Sequence, residues 1–264
     1  MTKLIVSDMD GTLLNDNGEL PEQLREVVLR LRSKGIEFAI ASGRQYETLK
    51  QFFGEMAQEL LLIADNGSLV AHKGEIKYTV PIASAQVNEV LDLAHDMQQA
   101  YPILCTAETA YIAKAHKDIY QQVKQYYAKL ELVDDLRAYT EEVIKITFCD
   151  LVDAQTNSAA VLTNLNGKLQ LAVSGDRWLD LTSPGVNKGK ALEWVQSELA
   201  IPVERMLVFG DHYNDVEMLQ LVPNSYAMQN AHDEIKQLAS NTTAFTNDQN
   251  GVIATIHALG LLDD

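Results

Sequence analysis

Apolar and polar positions alternate along the first third of the chain in a pattern that predicts strands and helices in turn. Short apolar runs at residues 4–7, 36–41 and 60–64 have the length and composition of buried strands. Residues 21–34 repeat apolar side chains on one helical face, with a proline in the first turn and a glycine after the last. Residues 45–59 are predicted to form a second helix. This β-α-β-α-β order predicts a parallel sheet covered by helices on both faces.

The middle of the chain departs from this alternation. After a hairpin predicted at residues 69–80, the elements are a helix beginning at Ser84, strands at 103–106 and 110–113, a helix at 118–129, a strand at 143–149, a helix at 153–164, and strands at 169–174 and 178–182. Paired strands with helices set apart from them are typical of an α+β unit. From Pro184 the strand–helix alternation returns. We therefore predict an α/β domain of residues 1–81 and 184–264, interrupted by an α+β insert at residues 82–183.

Composition and charge narrow the classes of protein. Of the 264 residues, 47% are hydrophobic and 22% are charged, which is ordinary for a globular protein. The formal net charge of −16 argues against nucleic acid and anionic membrane surfaces as partners, since both are bound through basic surfaces. No apolar run approaches the ~20 residues of a membrane-spanning helix, which argues against an ion-pumping transporter. The overall field would repel an anionic substrate, so a metal ion and a few local cations would have to dominate its site.

The two cysteines indicate the compartment. Cys105 and Cys149 are far apart in the chain, and each lies within an apolar stretch. Buried thiols in a reducing cytoplasm explain this placement better than a disulfide or a metal-binding pair. The first residues carry a lysine and soon afterwards aspartates, so they do not resemble a signal peptide. We therefore expect a cytoplasmic protein.

The residues with the clearest chemistry follow the first apolar run, in the segment Asp8-Met9-Asp10-Gly11-Thr12. Ligands of open parallel sheets bind outside the carboxyl ends of the strands, and Asp8 would lie at that edge. An ionised carboxylate can attack a phosphoryl group and form an acyl phosphate. Asp10 is placed to protonate the leaving oxygen, to take a proton from water later, and to offer its backbone carbonyl to a cation. This segment could also be an ordinary turn after a strand.

Two further clusters are candidate phosphate ligands. Ser42-Gly43-Arg44 follows the second strand and opens a helix, where a hydroxyl and free N–H groups can bind an anion. A serine at such a position is also a common N-cap. Lys188 lies at the start of a later helix, where its charge could neutralise a phosphate and an attacking carboxylate together. The alternative for Lys188 is a solvated surface lysine.

The last cluster, Gly210-Asp211-His212-Tyr213-Asn214-Asp215, follows an apolar strand predicted at residues 206–209. Asp211 and Asp215 offer the oxygen ligands that Mg²⁺ prefers, and Asn214 could hydrogen-bond a phosphate or hold Lys188. A turn that caps a helix would use the same residue types. Zinc is poorly supported, because the six histidines are scattered and none pairs with a cysteine at ligand spacing.

In this order and at strand ends, the four clusters resemble the motifs of the haloacid dehalogenase superfamily of phosphohydrolases. Residues 8–12 and 210–215 are similar to its DxDGT and GDxxND motifs, and Ser42 and Lys188 stand at its serine and lysine positions. The insert between the second and third motifs resembles the cap of the Cof-like branch. The resemblance implies an α/β fold with a Rossmann-like parallel-sheet core and an inserted type IIB α+β cap, which sets substrate specificity.

The resemblance also implies a role for each candidate residue in a Mg²⁺-dependent phosphatase. Asp8 would be the nucleophile and a metal ligand, and Asp10 the general acid/base with its carbonyl on the metal. Asp211 would be a further metal ligand, and Asp215 would bind the metal directly or support the residues that do. The phosphate would be held by the Met9 N–H, Ser42, the Gly43 N–H, Lys188 and Asn214. The activity expected is hydrolysis of small phosphomonoesters, such as sugar phosphates, FMN or pyridoxal phosphate, through an aspartyl-phosphate.

Three alternatives to hydrolysis stay open. A phosphosugar mutase would return the phosphoryl group to a sugar, and a protein that kept the fold but lost the chemistry would bind a phosphorylated metabolite without turnover. A dehalogenase would need neither Mg²⁺ nor the second carboxylate at Asp10. We expect a monomer whose partner is a small phosphorylated metabolite. Candidates for substrate contacts in the insert, with plain packing as the alternative for each, are Tyr111, His116 and Tyr120.

Overall fold

The computed structural model of the protein describes residues 1–95, 97–173 and 176–263. The chain divides into two compact units. The first contains Met1–Gly43, Phe53–Lys77 and the chain from Asn187 onward, and the second contains Arg44–Phe52 and Tyr78–Val186. The domain boundaries at 81/82 and 183/184 stay a prediction.

Strands and α-helices alternate from β1 to β3 and again from β11 to the end of the chain, whereas pairs of consecutive strands occur between them. In chain order the strands are β1 (Leu4–Asp8), β2 (Glu37–Ala41), β3 (Leu61–Ala64), β4 (Leu69–His72), β5 (Glu75–Thr79), β6 (Ala100–Cys105), β7 (Ala110–Ala113), β8 (Leu130–Val133), β9 (Lys145–Asp150), β10 (Gln170–Val173), β11 (Trp178–Thr182), β12 (Met206–Gly210), β13 (Ser225–Ala227) and β14 (Asn241–Thr242). The α-helices are α1 (Leu24–Ser33), α2 (Tyr46–Phe53), α3 (Ser84–His95), α4 (Lys117–Lys124), α5 (Ser158–Leu162), α6 (Lys188–Leu199), α7 (Val216–Leu221), α8 (Asp233–Leu238) and α9 (Gly251–Ala258). Within the described ranges, no helix combines the length and the apolar character needed to cross a membrane.

The first unit is built on a sheet with the strand order β14-β13-β12-β1-β2-β3-β4-β5. Neighbouring strands from β14 to β3 run parallel, and β4 returns antiparallel beside β3. Leu4, Ile5 and Val6 of β1 are completely buried, as expected for a parallel strand covered on both faces. The parallel sheet that the strand–helix alternation predicted is therefore confirmed.

The order of the strands also locates the site. From β1 the chain moves outward through β2 and β3, whereas β12, on the other side of β1, begins a second series through β13 and β14. The point where the strand order reverses lies between β1 and β12, and ligands of open α/β sheets bind at the carboxyl ends of the strands beside such a point. Asp8 ends β1, and Asp211 follows β12 directly.

The second unit contains a sheet with the order β10-β11-β9-β6-β7-β8, in which β7 and β8 pair parallel and the other pairs are antiparallel. Side chains of β9 pack into two apolar clusters: Ile146 and Phe148 belong to one, and Cys149 belongs to the other. This is the α+β insert predicted from sequence. Cys105 and Cys149 are both buried and neither belongs to a disulfide, so the prediction of buried thiols is confirmed.

Several boundaries differ from the predicted ones. The helix predicted at residues 45–59 ends at Phe53, because Gly54 takes a φ of +55° and the chain continues as a 3₁₀ helix to Glu59. The helix predicted at residues 118–129 ends at Lys124, and β8 follows it as a strand that the sequence did not predict. The strand predicted at 169–174 ends at Val173 in the structure, and Ser174 lies outside the described residues.

Candidate active site

The turn after β1 presents Asp8 and depends on Gly11. Residues Met9–Leu13 form a single π-type turn in which Gly11 has a φ of +80°. A Cβ atom at Gly11 would lie 2.4 Å from Asp211 Oδ2, so only glycine lets the two loops approach this closely. The Thr12 hydroxyl donates a hydrogen bond of 2.8 Å to Asp211 Oδ1. The loops after β1 and β12 are thus joined at Asp211.

Lys188 is a buried cation between two carboxylates. Its Nζ lies 2.5 Å from Asp8 Oδ1 and 2.6 Å from Asp215 Oδ1, and its side chain is 0% exposed. Burial alone would lower the pKa of Lys188, but the charges of Asp215 and Asp8 outweigh it and raise that pKa, so the lysine stays protonated. The alternative of a solvated surface lysine is therefore wrong.

The start of α6 explains how Lys188 is aimed. Asn187 is the N-cap of α6, and its side-chain oxygen accepts a hydrogen bond from the Lys190 N–H. This cap fixes the first turn of the helix, from which Lys188 reaches the carboxylates. The side chain of Lys190 is exposed and pairs with Glu193, so the two lysines of this turn have different environments.

Asp215 holds the loop after β12 in place. Its Oδ2 accepts hydrogen bonds from the N–H groups of Asp211 and His212, at 2.9 and 3.0 Å. Its Oδ1 accepts from Lys188, and the side chain is completely buried. Both oxygens of Asp215 are thus occupied by protein donors, which suits a residue that braces Asp211 and Lys188.

Three carboxylates converge at this edge of the sheet. Oxygen atoms of Asp8, Asp211 and Asp215 all lie within 4.8 Å of one another. Burial, followed by the charge of Asp215, raises the pKa of Asp8 although Lys188 opposes the shift; burial also raises the pKa of Asp211 against the Thr12 hydrogen bond. One lysine does not balance three carboxylates, so a divalent cation fits the site. An all-oxygen donor set fits a hard cation such as Mg²⁺ better than zinc.

Asn66 links two of the predicted phosphate-binding segments. Its N–H donates to the carbonyl of Ser42, which is itself 1% exposed at the end of β2. A Cβ atom at Gly43 would lie 3.2 Å from the side-chain amide of Asn66. Asn214 Nδ2 donates to Asn66 Oδ1 at 3.0 Å. The structure therefore brings Ser42, Gly43 and Asn214 together around one asparagine.

Met9 and Asp10 lie in the same turn as Asp8. The Met9 side chain is completely buried, and its carbonyl accepts the Leu14 N–H. The Asp10 side chain is exposed, two residues beyond Asp8. An exposed carboxyl group in this turn is accessible to a leaving group and to water, as a general acid/base requires.

Sequence reasoning missed Asn230. Its Nδ2 donates to the Gly11 carbonyl at 2.8 Å, and its Oδ1 accepts the N–H of Asn247 at 3.1 Å. Asn230 therefore ties the turn after β13 to the turn that carries Asp8. One feature of the sequence could have pointed to Asn230: it follows β13, the neighbour of β12, and ligand-binding residues of parallel sheets lie beyond the carboxyl ends of the strands.

The three aromatic candidates in the second unit make packing contacts there. The ring of Tyr111 stacks on Tyr139 with centroids 4.3 Å apart, and His116 packs edge-on against Tyr101 at 4.8 Å. The Tyr120 hydroxyl donates to the Leu130 carbonyl at 3.2 Å. These contacts are the packing that the sequence left as the alternative.

Buried carboxylates and a buried lysine lie at the switch point of a parallel sheet, where α/β enzymes bind their ligands. A family model described as haloacid dehalogenase-like hydrolase matches residues 5–256. The chain belongs to this family, and the recognition from its motifs is confirmed.

Relatives of the chain are named phosphatases. It is 31% identical to the 5-amino-6-(5-phospho-D-ribitylamino)uracil phosphatase YbjI of Escherichia coli strain K12, over 96% of this chain and 94% of that protein. It is 29% identical to the HMP-PP phosphatase of Klebsiella pneumoniae strain 342, over 89% and 87% of the two chains. The fold is shared with the solved structure of the haloacid dehalogenase subclass IIB sugar phosphatase BT4131, at 20% identity and a TM-score of 0.81 over 98% of this chain and 100% of that one. The protein is thus a phosphatase, and the predicted core with an inserted cap is confirmed.

Proposed function

We propose that the protein hydrolyses small phosphomonoesters, such as sugar phosphates, FMN or pyridoxal phosphate, in a Mg²⁺-dependent reaction through an aspartyl-phosphate. The observation that carries this proposal is the buried contact of 2.5 Å between Lys188 Nζ and Asp8 Oδ1. The charge of Lys188 opposes the rise that burial causes in the pKa of Asp8, and so favours the ionised form that attacks phosphorus. The relative YbjI is named for a substrate that is itself a small phosphate ester, which supports the same substrate class.

The first step transfers the phosphoryl group to the protein. A carboxylate oxygen of Asp8 attacks phosphorus in line with the leaving oxygen, the bond to that oxygen breaks, and an acyl phosphate forms on Asp8. Asp10 donates its proton to the leaving oxygen, so the alcohol departs neutral. The charge of Lys188, close to Asp8, offsets the negative charge gathered around phosphorus.

The second step returns Asp8 to its carboxylate form. Asp10, now ionised, takes a proton from a water molecule that attacks phosphorus. The bond between phosphorus and the Asp8 oxygen breaks, and inorganic phosphate leaves. We assign the phosphate oxygens to the Ser42 hydroxyl, the N–H groups of Met9 and Gly43, Lys188 and Asn214. The links of Ser42, Gly43 and Asn214 to Asn66 support this assignment, because they fix three of these ligands relative to one another.

Mg²⁺ would be held by the carboxylates of Asp8 and Asp211 and the carbonyl of Asp10. When bound, it supplies positive charge to the phosphoryl oxygens and balances the carboxylates around it. We assign Asp215 a supporting role, because its oxygens already accept hydrogen bonds from Lys188 and from two backbone N–H groups. We further propose that the protein acts as a monomer in a reducing compartment, which two buried thiols outside any disulfide support.

The proposal is tested by phosphate release from a panel of sugar phosphates, nucleotides, FMN, pyridoxal phosphate and an aryl phosphate, each with Mg²⁺ and with EDTA. We expect release of inorganic phosphate with Mg²⁺ and none with EDTA. Formation of an isomeric phosphosugar in place of inorganic phosphate would support a mutase. Binding of the panel compounds without any turnover would support a protein that lost the chemistry.

A further inference from the structure

Three exposed aromatic side chains gather beside the candidate catalytic carboxylates, all of them in the first unit. His212 and Tyr213 follow Asp211 directly, and His232 lies in the turn between β13 and α8. Their ring centroids are 5.3 Å apart for His212 and Tyr213, 6.2 Å for His212 and His232, and 6.1 Å for Tyr213 and His232. We call His212, Tyr213 and His232 the aromatic cluster. The proposed function gives these three rings no role.

Both loops that carry the aromatic cluster are fastened to the site. The His212 N–H donates to Asp215, and the neighbouring Asp211 accepts from Thr12. On the other loop Asn230, two residues before His232, donates to the carbonyl of Gly11 at 2.8 Å. The two loops that carry the aromatic cluster are therefore held by hydrogen bonds next to the turn that presents Asp8 and Asp10.

The orientation of the rings suits a flat ligand. The planes of Tyr213 and His232 lie within 23° of each other, and Tyr213 is 52% exposed. The Tyr213 hydroxyl donates to Glu234 Oε2 at 2.8 Å, which holds the ring at the surface. Grouped, exposed aromatic surface beside a catalytic centre is typical of a binding site, whereas single exposed rings are common on any protein surface.

We propose that the aromatic cluster is a stacking platform for a planar heteroaromatic ring in the leaving group, so that the preferred substrates are phosphate esters that carry such a ring. Stacking between aromatic rings tolerates many different ring systems. Loss of one stacking residue typically weakens binding by about fivefold to a hundredfold. The inference rests on the proposed function and narrows its substrate class from small phosphomonoesters in general to heteroaromatic ones.

A matched pair of substrates isolates the contribution of the ring. FMN and ribitol 5-phosphate share the ribityl phosphate, and only FMN carries a ring system. We expect the parent chain to have a higher kcat/KM for FMN. Tyr213→Ala and His232→Ala should each raise KM for FMN about tenfold with a much smaller effect on kcat, and should change the KM for ribitol 5-phosphate far less.

Two further variants show whether the effect comes from the aromatic face of Tyr213. Tyr213→Phe keeps the ring and loses only the bond to Glu234, so it should retain the preference for FMN to within about twofold. His257→Ala removes an exposed histidine of α9 outside the aromatic cluster and should leave both substrates unaffected. A thermal unfolding curve for each variant confirms that it remains folded.

Three results would overturn the inference. The first is a parent chain that prefers ribitol 5-phosphate or hydrolyses neither compound of the pair while it hydrolyses others. The second is an equal loss for FMN and ribitol 5-phosphate in Tyr213→Ala, which would show that the substitution disturbs Asp211 and not a ring contact. The third is an unchanged KM for FMN in both alanine variants. In the last two cases Mg²⁺-dependent phosphate release by the parent chain would still support the proposed function, whereas no release from any panel member would contradict both.

Discussion

Among single residues, Lys188 is distinguished by an ammonium group that is fully buried between the carboxylates of Asp8 and Asp215. Removal of one partner from a buried ion pair leaves uncompensated charge in a poorly solvated place. We expect Lys188→Ala to lower the free energy of unfolding by about 3–5 kcal/mol and to abolish turnover. Urea unfolding near neutral pH measures the first effect.

Lys190→Ala is the matched control for this prediction, because Lys190 lies in the same turn of the same helix with its ammonium group exposed. It should change the free energy of unfolding by less than about 0.5 kcal/mol. Equal unfolding midpoints for the two alanine variants would show that Lys188 is not a buried counter-charge.

The second prediction for a single residue concerns Gly11. Gly11→Ala would place a Cβ atom 2.4 Å from Asp211 Oδ2 and displace that carboxylate from the turn that carries Asp8. We expect kcat to fall by about a hundredfold, since a displacement of ~1 Å at a reacting centre has effects of this size. Gly18→Ala has a similar φ, +76°, but no atom within 4 Å of the added Cβ, so it reports the backbone strain alone. A comparable loss of kcat in the two variants would mean that the contact with Asp211 is unimportant.

Between elements, Asp150 joins the end of β9 to the start of α5. It is completely buried and accepts hydrogen bonds from the N–H groups of Val152, Asp153 and Ser158. Burial alone would raise the pKa of Asp150, but these bonds and the one from Asn157 outweigh it and lower that pKa. A carboxyl group with a lowered pKa in the folded protein stabilises it above the unfolded-state value of about 3.9, and this contribution is lost as the pH falls through the folded-state pKa.

Asp150→Asn should therefore destabilise the protein in a pH-dependent way. We expect a loss of about 1–3 kcal/mol at pH 7, because the amide replaces an acceptor with a donor among N–H groups. The difference between the parent and the variant should shrink as the pH is lowered below about 4. Urea unfolding at a series of pH values checks this. A difference in the free energy of unfolding that stays constant with pH would show that the ionised carboxylate does not stabilise the protein.

The elements that position the site could largely be predicted from the sequence. Strands β1 and β12 are short apolar runs buried on both faces, and that pattern depends only on local composition. Strand β8 was missed because its four residues follow a polar helical segment without a clear break in the sequence. It forms a strand because it pairs with β7, a contact that the local sequence does not show. The end of α2 was missed because a positive φ at Gly54 decided it.

Contacts within the site were predictable only where both partners belong to a motif. The motifs indicated that Lys188 and Asp8 would meet, yet 180 residues separate them and only the folded sheet brings them together. Asn230 was missed for the same reason, because its contact with Gly11 spans 219 residues and its sequence carries no motif. Residue type and position after a strand predict which residues reach the site. Which of them are in contact depends on how the strands pair and how the loops pack in the folded protein.

For the molecule as a whole, the formal net charge of −16 acts against an anionic substrate. Screening by salt weakens this repulsion within about 10 Å at 0.1 M ionic strength. We expect kcat/KM for a phosphomonoester to rise severalfold as ionic strength increases from about 0.01 to 0.1 M at constant Mg²⁺. A steady fall of kcat/KM over that range would indicate that local cations, and not the net charge, govern the approach of the substrate.

The proposed mechanism requires Asp8 to carry the phosphoryl group between the two steps. Asp10→Asn removes the base of the second step and should slow the breakdown of the intermediate more than a substitution elsewhere would. The most direct measurement is mass spectrometry of the Asp10→Asn protein, quenched in acid after mixing with Mg²⁺ and a substrate that the parent chain hydrolyses. We predict one added phosphoryl group on the peptide that contains Asp8, and none in the Asp8→Asn, Asp10→Asn double variant. A phosphoryl group on another residue, or an unmodified Asp8 peptide in a variant that still consumes substrate, would contradict this mechanism.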